Sequence, residues 1–99
     1  MNNIEKTIRI NELFDIYKSL LTPKQQQVME NYYVFDLSIG EIADNNKTSR
    51  AAIFDLIKRT TNILEDYEAK LKLLEKRNKI NKILEKEDEK LKEKIINLL

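Results

Sequence analysis

The scarcity of glycine and proline is the feature that most constrains the fold of this chain. Its 99 residues contain one glycine, Gly40, and one proline, Pro23, so neither residue occurs after position 40. A turn-rich β protein draws heavily on both residues and has almost no material here. Hydrophobic residues at 41% and charged residues at 35% are typical of helices with long solvated faces. The sequence therefore predicts an all-α fold.

Residues 38–59 have the pattern of a helix-turn-helix motif, in which two helices are joined by a short turn. Ser38 and Glu41 stand three residues apart, which is the spacing of a capping box at a helix start. The polar run at residues 44–47 predicts the turn, because Asn and Asp readily adopt left-handed backbone. Thr48 or Ser49 can then cap the second helix.

The second helix of this motif has an inward and an outward face. Ile53, Leu56 and Ile57 recur at helical spacing and predict the inward face. Two helices joined by so short a turn cross steeply, so we expect the start of the second helix to be exposed. The outward positions are Arg50, Ala51, Phe54, Asp55 and Lys58.

Two further helices are predicted before the motif. Thr22 and Gln25 form a second capping box, and Pro23 suits the first helical position, so one helix should run from Pro23 to about Val34. An earlier helix should cover residues 3–20. Its apolar residues at helical spacing are Ile4, Ile8, Phe14, Tyr17 and Leu21.

The apolar pattern continues past the motif without a stop signal. A stripe with coiled-coil-like spacing changes phase near residues 78–81, which allows either a break there or one helix of roughly 50 residues, about 75 Å long. Such a stripe needs a second chain or a fold-back, and a homodimer is the economical solution. We therefore predict a helix-turn-helix domain at residues 1–60 and a long, dimerising C-terminal extension at 61–99. The predicted dimerisation residues are Ile63, Leu64, Tyr67, Leu71, Leu74, Leu84 and Leu91.

Several motifs, in the same order, resemble the YlxM family of small bacterial proteins. They occupy residues 7–17, 20–27, 32–33, 37–43, 49–55 and 57–59, and the resemblance covers about residues 5–75. It implies a helical homodimer with a helix-turn-helix similar to region four of bacterial sigma factors, and hence a DNA-binding or regulatory role. It also implies a link to the signal recognition particle, through gene neighbourhood. Where the family's turn carries a large apolar residue and a valine, this chain has Asn46 and Thr48.

Arg50 and Ser49 are the leading candidates for nucleic-acid contact. At the start of a recognition helix, Arg can bond a guanine edge with two hydrogen bonds, and Ser can bond a phosphate or a base. In the alternative interpretation Ser49 is only a helix cap and Arg50 is a solvated surface residue. The full set predicted to contact nucleic acid is Lys47, Ser49, Arg50, Ala51, Phe54, Lys58 and Arg59.

Charge favours a second function, that of an adaptor which does not bind DNA. The net charge is +1 and residues 1–60 carry eight basic and eight acidic side chains. Asp55 lies on the outward face and can pair with Lys58 or Arg59, which would remove a cation from a DNA surface. The adaptor would instead contact the protein or RNA of the signal recognition particle.

Other chemistry finds no support in the sequence. The chain lacks His and Cys, and it has no glycine-rich phosphate loop, so we predict a non-enzyme without cofactor or metal. No apolar run approaches the ~18 residues that span a membrane, so we expect a cytoplasmic protein without membrane insertion.

The acidic residues from Glu85 to Glu93 alternate with Lys and predict a solvated helical face. Tyr17, Tyr32 and Tyr33 are expected to pack in the core with their hydroxyls at the surface.

Overall fold

The computed structural model describes residues 2–85 and 89–98, and within these residues it contains helices and no strand. The predicted all-α fold is confirmed. A short 3-10 turn, Lys18–Leu20, follows the first helix. The helices are α1 (Asn3–Tyr17), α2 (Pro23–Tyr33), α3 (Ile39–Asn45), α4 (Arg50–Leu71), α5 (Leu73–Leu84) and α6 (Glu89–Ile96).

Three helices begin where the capping residues predicted. Thr22 and Gln25 form a capping box at the start of α2, and Ser38 and Glu41 form another at the start of α3. Of the two candidates before α4, Ser49 is the cap, and its hydroxyl accepts a backbone N–H at 3.0 Å. Each cap satisfies a donor that the helix itself leaves unpaired.

The core lies where α4 crosses α1, α2 and α3, and α5 contributes one residue to it. Ile4 and Ile8, predicted to face inward, are 72% and 53% exposed. Residues 2–8 are all exposed, because the first turns of α1 extend beyond the helices that cover the rest of it. The core residues are Leu13, Phe14, Tyr17, Leu21, Val28, Met29, Ile42, Ala43, Ile53, Ile57, Leu64 and Leu74.

The turn between α3 and α4 is a Schellman motif built on a lysine. Thr48 donates its N–H to the Ala43 carbonyl at 3.0 Å, and Lys47 donates to the Asp44 carbonyl at 3.2 Å. Lys47 has a φ of 52°. The expectation that Asn or Asp would take the left-handed position is therefore wrong, because α3 continues through Asn45 and the chain reverses only at Lys47.

Asn46 stabilises the turn through its side chain, although it stands where the resembled family has an apolar residue. Its Nδ2 donates to the Ile42 carbonyl at 2.7 Å, and its Oδ1 accepts a hydrogen bond from Lys24 Nζ. A helix leaves its last carbonyls without an internal partner. Asn46 therefore connects the end of α3 to α2 by hydrogen bonds where an apolar residue would do so by packing.

The C-terminal third is neither one long helix nor broken near residues 78–81. Lys72, with a φ of 54°, separates α4 from α5. Residues 78–81 lie inside α5. Beyond the break α5 packs back against α1, and Leu74 is only 3% exposed. The fold-back that the sequence allowed is the one observed.

Glu68 and Tyr17 stabilise the break between α4 and α5 by hydrogen bonds. The N–H groups of Leu74 and Glu75 donate to the two carboxylate oxygens of Glu68, each at 3.0 Å. The Tyr17 hydroxyl donates to Glu68 at 2.6 Å and accepts the N–H of Leu73 at 3.1 Å. The first three N–H groups of α5 are thus satisfied by two side chains that lie outside the helix.

Burial and hydrogen bonding shift the pKa values of Glu68 and Tyr17. Burial alone would raise the pKa of Glu68, but the bonds from Tyr17 and two backbone N–H groups, aided by the charge of Arg9, bring the pKa below its ordinary value. Burial, together with the bond to Glu68, raises the pKa of Tyr17. The Tyr17 hydroxyl was predicted to reach the surface, and this is wrong because it caps α5.

The predicted dimerisation residues divide between the interior of one chain and its surface. Leu71 and Leu91 are 43% and 44% exposed. α4 runs through residue 60 without interruption. Much of the apolar stripe is therefore covered within one chain, while the homodimer and the division at residue 60 stay predictions. The residues buried or packed against the core are Ile63, Leu64, Tyr67, Leu74 and Leu84.

Candidate nucleic-acid interface

The packing of α3 against α4 leaves the start of α4 open to solvent. Ile42 and Ala43 on α3 are 0% and 2% exposed, and Ile53 on α4 is 1% exposed. The small Ala43 side chain allows the two helices to approach closely. Because the packing uses one face of α4, its opposite face stays accessible from the first turn onward.

All residues predicted to contact nucleic acid are exposed. Lys47 projects from the turn, and the others lie on the first three turns of α4 or cap its start. At helical spacing, Ala51 and Lys58 share the outward face with Asp55, whereas Arg50 and Phe54 lie toward its edge. The residues of this exposed set are Lys47, Ser49, Arg50, Ala51, Phe54, Lys58 and Arg59.

Arg50 lies across the first turn of α3. Its Nε is 3.1 Å from the position that a Cβ on Gly40 would occupy. The only glycine of the chain thus provides the space in which the guanidinium rests.

The cations of this face are not equivalent. Arg59 Nε pairs with Asp55 Oδ2 at 2.8 Å, one of the two pairings that the spacing allowed. Lys47 and Lys58 make no ion pair with another residue in the described parts of the chain. These two lysines can therefore reach a phosphate with their charge unshared, whereas Asp55 partly offsets the charge of Arg59.

An apolar groove adjoins the outward face at Phe54. The groove has a volume of about 220 Å³, and Phe54 beside it is 58% exposed. Tyr32 and Tyr33 meet edge to face there, with ring centres 4.8 Å apart. Sequence reasoning missed the groove because four helices contribute to it. Its apolar lining consists of Ile10, Tyr32, Tyr33, Ile39, Phe54 and Ile57.

The acidic C-terminal run forms no metal site in the part that the structure describes. No group of three metal-ligating side chains occurs within residues 2–85 and 89–98. Lys92 pairs with Glu89 at 3.6 Å and donates to the Glu85 carbonyl at 2.8 Å. The predicted solvated face also includes residues 86–88, which lie outside the described residues. Among the described helices, none combines the length and apolar character needed to cross a membrane.

Sequence comparisons confirm the predicted resemblance to the YlxM family. The family model described as "Putative helix-turn-helix protein, YlxM / p13 like" matches residues 4–98. A UPF0122 protein of Shouchella clausii is 58% identical over 73 residues, which cover 74% of this chain and 67% of that protein. A UPF0122 protein of Anoxybacillus flavithermus is 53% identical over 81 residues, covering 82% and 74%. A UPF0122 protein of Oceanobacillus iheyensis is 53% identical over 83 residues, covering 84% and 79%.

Proposed function

Because the chain belongs to the UPF0122 family of YlxM / p13-like helix-turn-helix proteins, we propose that it is a regulatory protein that binds duplex DNA through the start of α4. The observation that carries this function is the exposed first half of α4, which α3 supports from behind. A helix of this width fits the major groove, where base edges can be distinguished.

Within this face, different residues have different roles. Lys47 and Lys58 neutralise phosphates on either side of α4, because neither is engaged in an ion pair with a described residue. The guanidinium of Arg50 moves away from Gly40 and forms hydrogen bonds with a guanine edge. Arg59 adds a phosphate contact when DNA displaces it from Asp55.

A homodimer is part of the same proposal. Helix-turn-helix dimers place two recognition helices on half-sites about one helical turn apart, which raises both affinity and specificity. Leu71, Leu73 and Leu91 remain exposed on the C-terminal third and supply apolar surface for a second copy. Sedimentation equilibrium should give twice the chain mass of 11.8 kDa. A monomer over the whole concentration range would remove the dimer and leave DNA binding to be tested separately.

The groove beside Phe54 favours a second function, that of a protein or RNA adaptor linked to the signal recognition particle. Exposed aromatic side chains next to an apolar groove are typical of protein contacts. The adaptor would bind the particle's protein or RNA at moderate salt and would not bind duplex DNA. Phe54→Ala would then weaken binding to the particle.

Selection of binding sites from a pool of random duplex DNA tests the regulator directly. The wild-type protein should enrich a motif that contains guanine, and Arg50→Ala should relax the preference at one position, with a loss of about 1–3 kcal/mol. Lys18→Ala is the control, because it removes one exposed cation from the 3-10 turn. The assignment of Arg50 is wrong if both variants enrich the same motif as the wild type.

A further inference from the structure

The most basic segment of the molecule is not at the start of α4. Residues 70–82 contain six basic side chains and one acidic, a net charge of +5. The remaining 86 residues contain twelve basic and sixteen acidic side chains, a net charge of −4. The overall charge of +1 conceals this separation. A segment with so uneven a charge attracts polyanions, whatever the net charge of the protein.

The lysines of this segment face solvent, and its one arginine does not. Arg77 turns toward α1 and pairs with Asp15 at 3.6 Å. Leu74 and Leu84 lie on the same buried side of α5. The exposed lysines of this segment form what we call the α5 basic face. Lys76, Lys79 and Lys82 lie on α5 itself, Lys72 is the residue at the break, and Lys70 lies in the last turn of α4.

Most of the lysines on the α5 basic face have no ion-pair partner among the residues that the structure describes. Lys79 pairs with Glu75 at 3.2 Å. The other four lysines make no ion pair with any residue among 2–85 and 89–98. On α4, by contrast, Arg59 pairs with Asp55 four residues away. Neighbouring lysines without acidic partners repel one another, and binding of an anion relieves that repulsion.

The helix that carries three of these lysines, α5, is fixed in place. Glu68 and Tyr17 cap its first turn, and Leu74 anchors it in the core. Because Glu68 already occupies the N-terminal N–H groups, the helix end is not available to an anion. A polyanion must therefore bind along the side of α5, where the lysine side chains are.

We propose that the α5 basic face binds the phosphodiester backbone of nucleic acid without reading its bases. Lysine ammonium groups are flexible point charges, suited to phosphates and poorly suited to the two-bond recognition of bases. From Lys72 to Lys82 the face extends about 15 Å, a length over which a duplex carries about nine phosphate charges. It begins only in the last turn of α4, a helix of 22 residues, so it does not depend on the function proposed for the start of α4.

Two triple variants with equal charge test this surface. Lys70→Gln/Lys76→Gln/Lys82→Gln removes three cations from the α5 basic face. As the control, Lys6→Gln/Lys18→Gln/Lys94→Gln removes three exposed cations from other elements. Circular dichroism on each variant should show unchanged helix content, because all six side chains are exposed. The probes are labelled duplex DNA and duplex RNA of random sequence, titrated at several salt concentrations.

The variant in the α5 basic face should bind both probes at least tenfold more weakly at low salt. Its plot of log affinity against log salt should flatten by about 0.9 for each phosphate that is no longer neutralised. The control should stay within about twofold of the wild type, and the tighter of the two probes identifies the preferred nucleic acid. Equal weakening in both variants would overturn the proposal, because net charge alone would explain the binding. Binding to phosphatidylserine vesicles but to neither nucleic acid would overturn it in favour of a membrane surface.

Discussion

Two lysines adopt left-handed backbone, and the two chain breaks that they make are stabilised in different ways. Lys47 and Lys72 have nearly equal φ values of 52° and 54°. At Lys47 the bonds are local, since the backbone closes a Schellman motif and Ser49 caps the next helix. At Lys72 the cap of the next helix comes from Glu68 and from Tyr17, which is 56 residues from the N–H that it accepts.

The break at Lys47 is therefore encoded by neighbouring residues, whereas the break at Lys72 also depends on tertiary structure. A non-glycine residue in the left-handed region costs about 1–2 kcal/mol, which other interactions must offset. Around Lys47 the offset comes from residues within one turn. Around Lys72 two bonds come from nearby Glu68, but the bonds of Tyr17 also require that α1 packs against α4. The helix-turn-helix should therefore tolerate damage to the C-terminal third, whereas the fold-back of α5 should fail when α1 or Glu68 is disturbed.

Removal of the Glu68 carboxylate should reduce the stability of the protein more than any other change proposed here. In Glu68→Ala the Tyr17 hydroxyl and two backbone N–H groups lose a buried acceptor, so we expect a loss of about 3 kcal/mol in the free energy of unfolding. Urea denaturation at neutral pH measures it. Asp66→Ala, an exposed acid on the same helix, is the control and should change stability by about 0.5 kcal/mol or less. Equal losses in the two variants would show that Glu68 does not hold the break.

The pH dependence of stability should reveal the same carboxylate. The pKa of Glu68 is lower in the folded protein than its ordinary value of 4.5. Its contribution is therefore present above that value and is lost as the pH falls through the folded pKa. Urea denaturation of the wild type and Glu68→Gln should give a stability difference that narrows below about pH 4.5. A difference that does not change as the pH is lowered further would contradict the shift.

Ionisation of Tyr17 should lower the stability of the protein at high pH. Burial and the bond to Glu68 raise its pKa above the ordinary value of 10.0. Its contribution is thus complete below that value and is lost as the pH rises through the folded pKa. Burial also raises the pKa of Tyr33, so absorbance titration should show more than one tyrosine that ionises late, and Tyr17→Phe should remove one of them. An unchanged number of late-ionising tyrosines in Tyr17→Phe would contradict the assignment.

Loss of the Ser49 cap at the start of α4 should reduce stability less than loss of the Glu68 carboxylate. Ser49→Ala leaves one N–H at the start of α4 without its side-chain acceptor but open to water, so we expect a cost of about 1 kcal/mol. Thermal unfolding measures it, and Ser49→Asp should restore most of the stability. A cost as large as that of Glu68→Ala would mean that the break at Lys47 also depends on distant structure.

Gly40→Ala should have the smallest effect and the opposite sign. The three atoms nearest to the added Cβ all belong to the guanidinium of Arg50, which can move, and alanine is favoured over glycine in a helix by about 0.5–1 kcal/mol. The midpoint of thermal unfolding should rise slightly. A fall in the midpoint would mean that the packing of Arg50 on α3 is rigid and contributes to stability.

The motif could be read from the sequence because its signals are local. Ser38, Glu41 and Ser49 each act on a backbone group within three residues. The apolar spacing also identified Ile53 and Ile57 as core residues. The exposure of the predicted nucleic-acid residues follows from that spacing alone.

The fold-back could not be read because nothing near Lys72 marks a helix end. Lysine carries no preference for left-handed backbone, and a glutamate at helical spacing resembles any solvated acid. Glu68 acts as a cap here together with Tyr17, which comes from a distant part of the chain. The α5 basic face was missed for a related reason, since its exposure depends on which side of α5 packs against α1.

Salt-titrated fluorescence anisotropy with random duplex DNA tests the central claim, that the start of α4 binds DNA, most directly. The wild type should be compared with Arg50→Ala/Lys58→Ala and with the charge-matched Lys18→Ala/Lys94→Ala. We predict duplex binding that weakens steeply with salt, with lower affinity and a flatter slope only in the first variant. Absence of duplex binding at low salt, or equal binding by both variants, would contradict the claim.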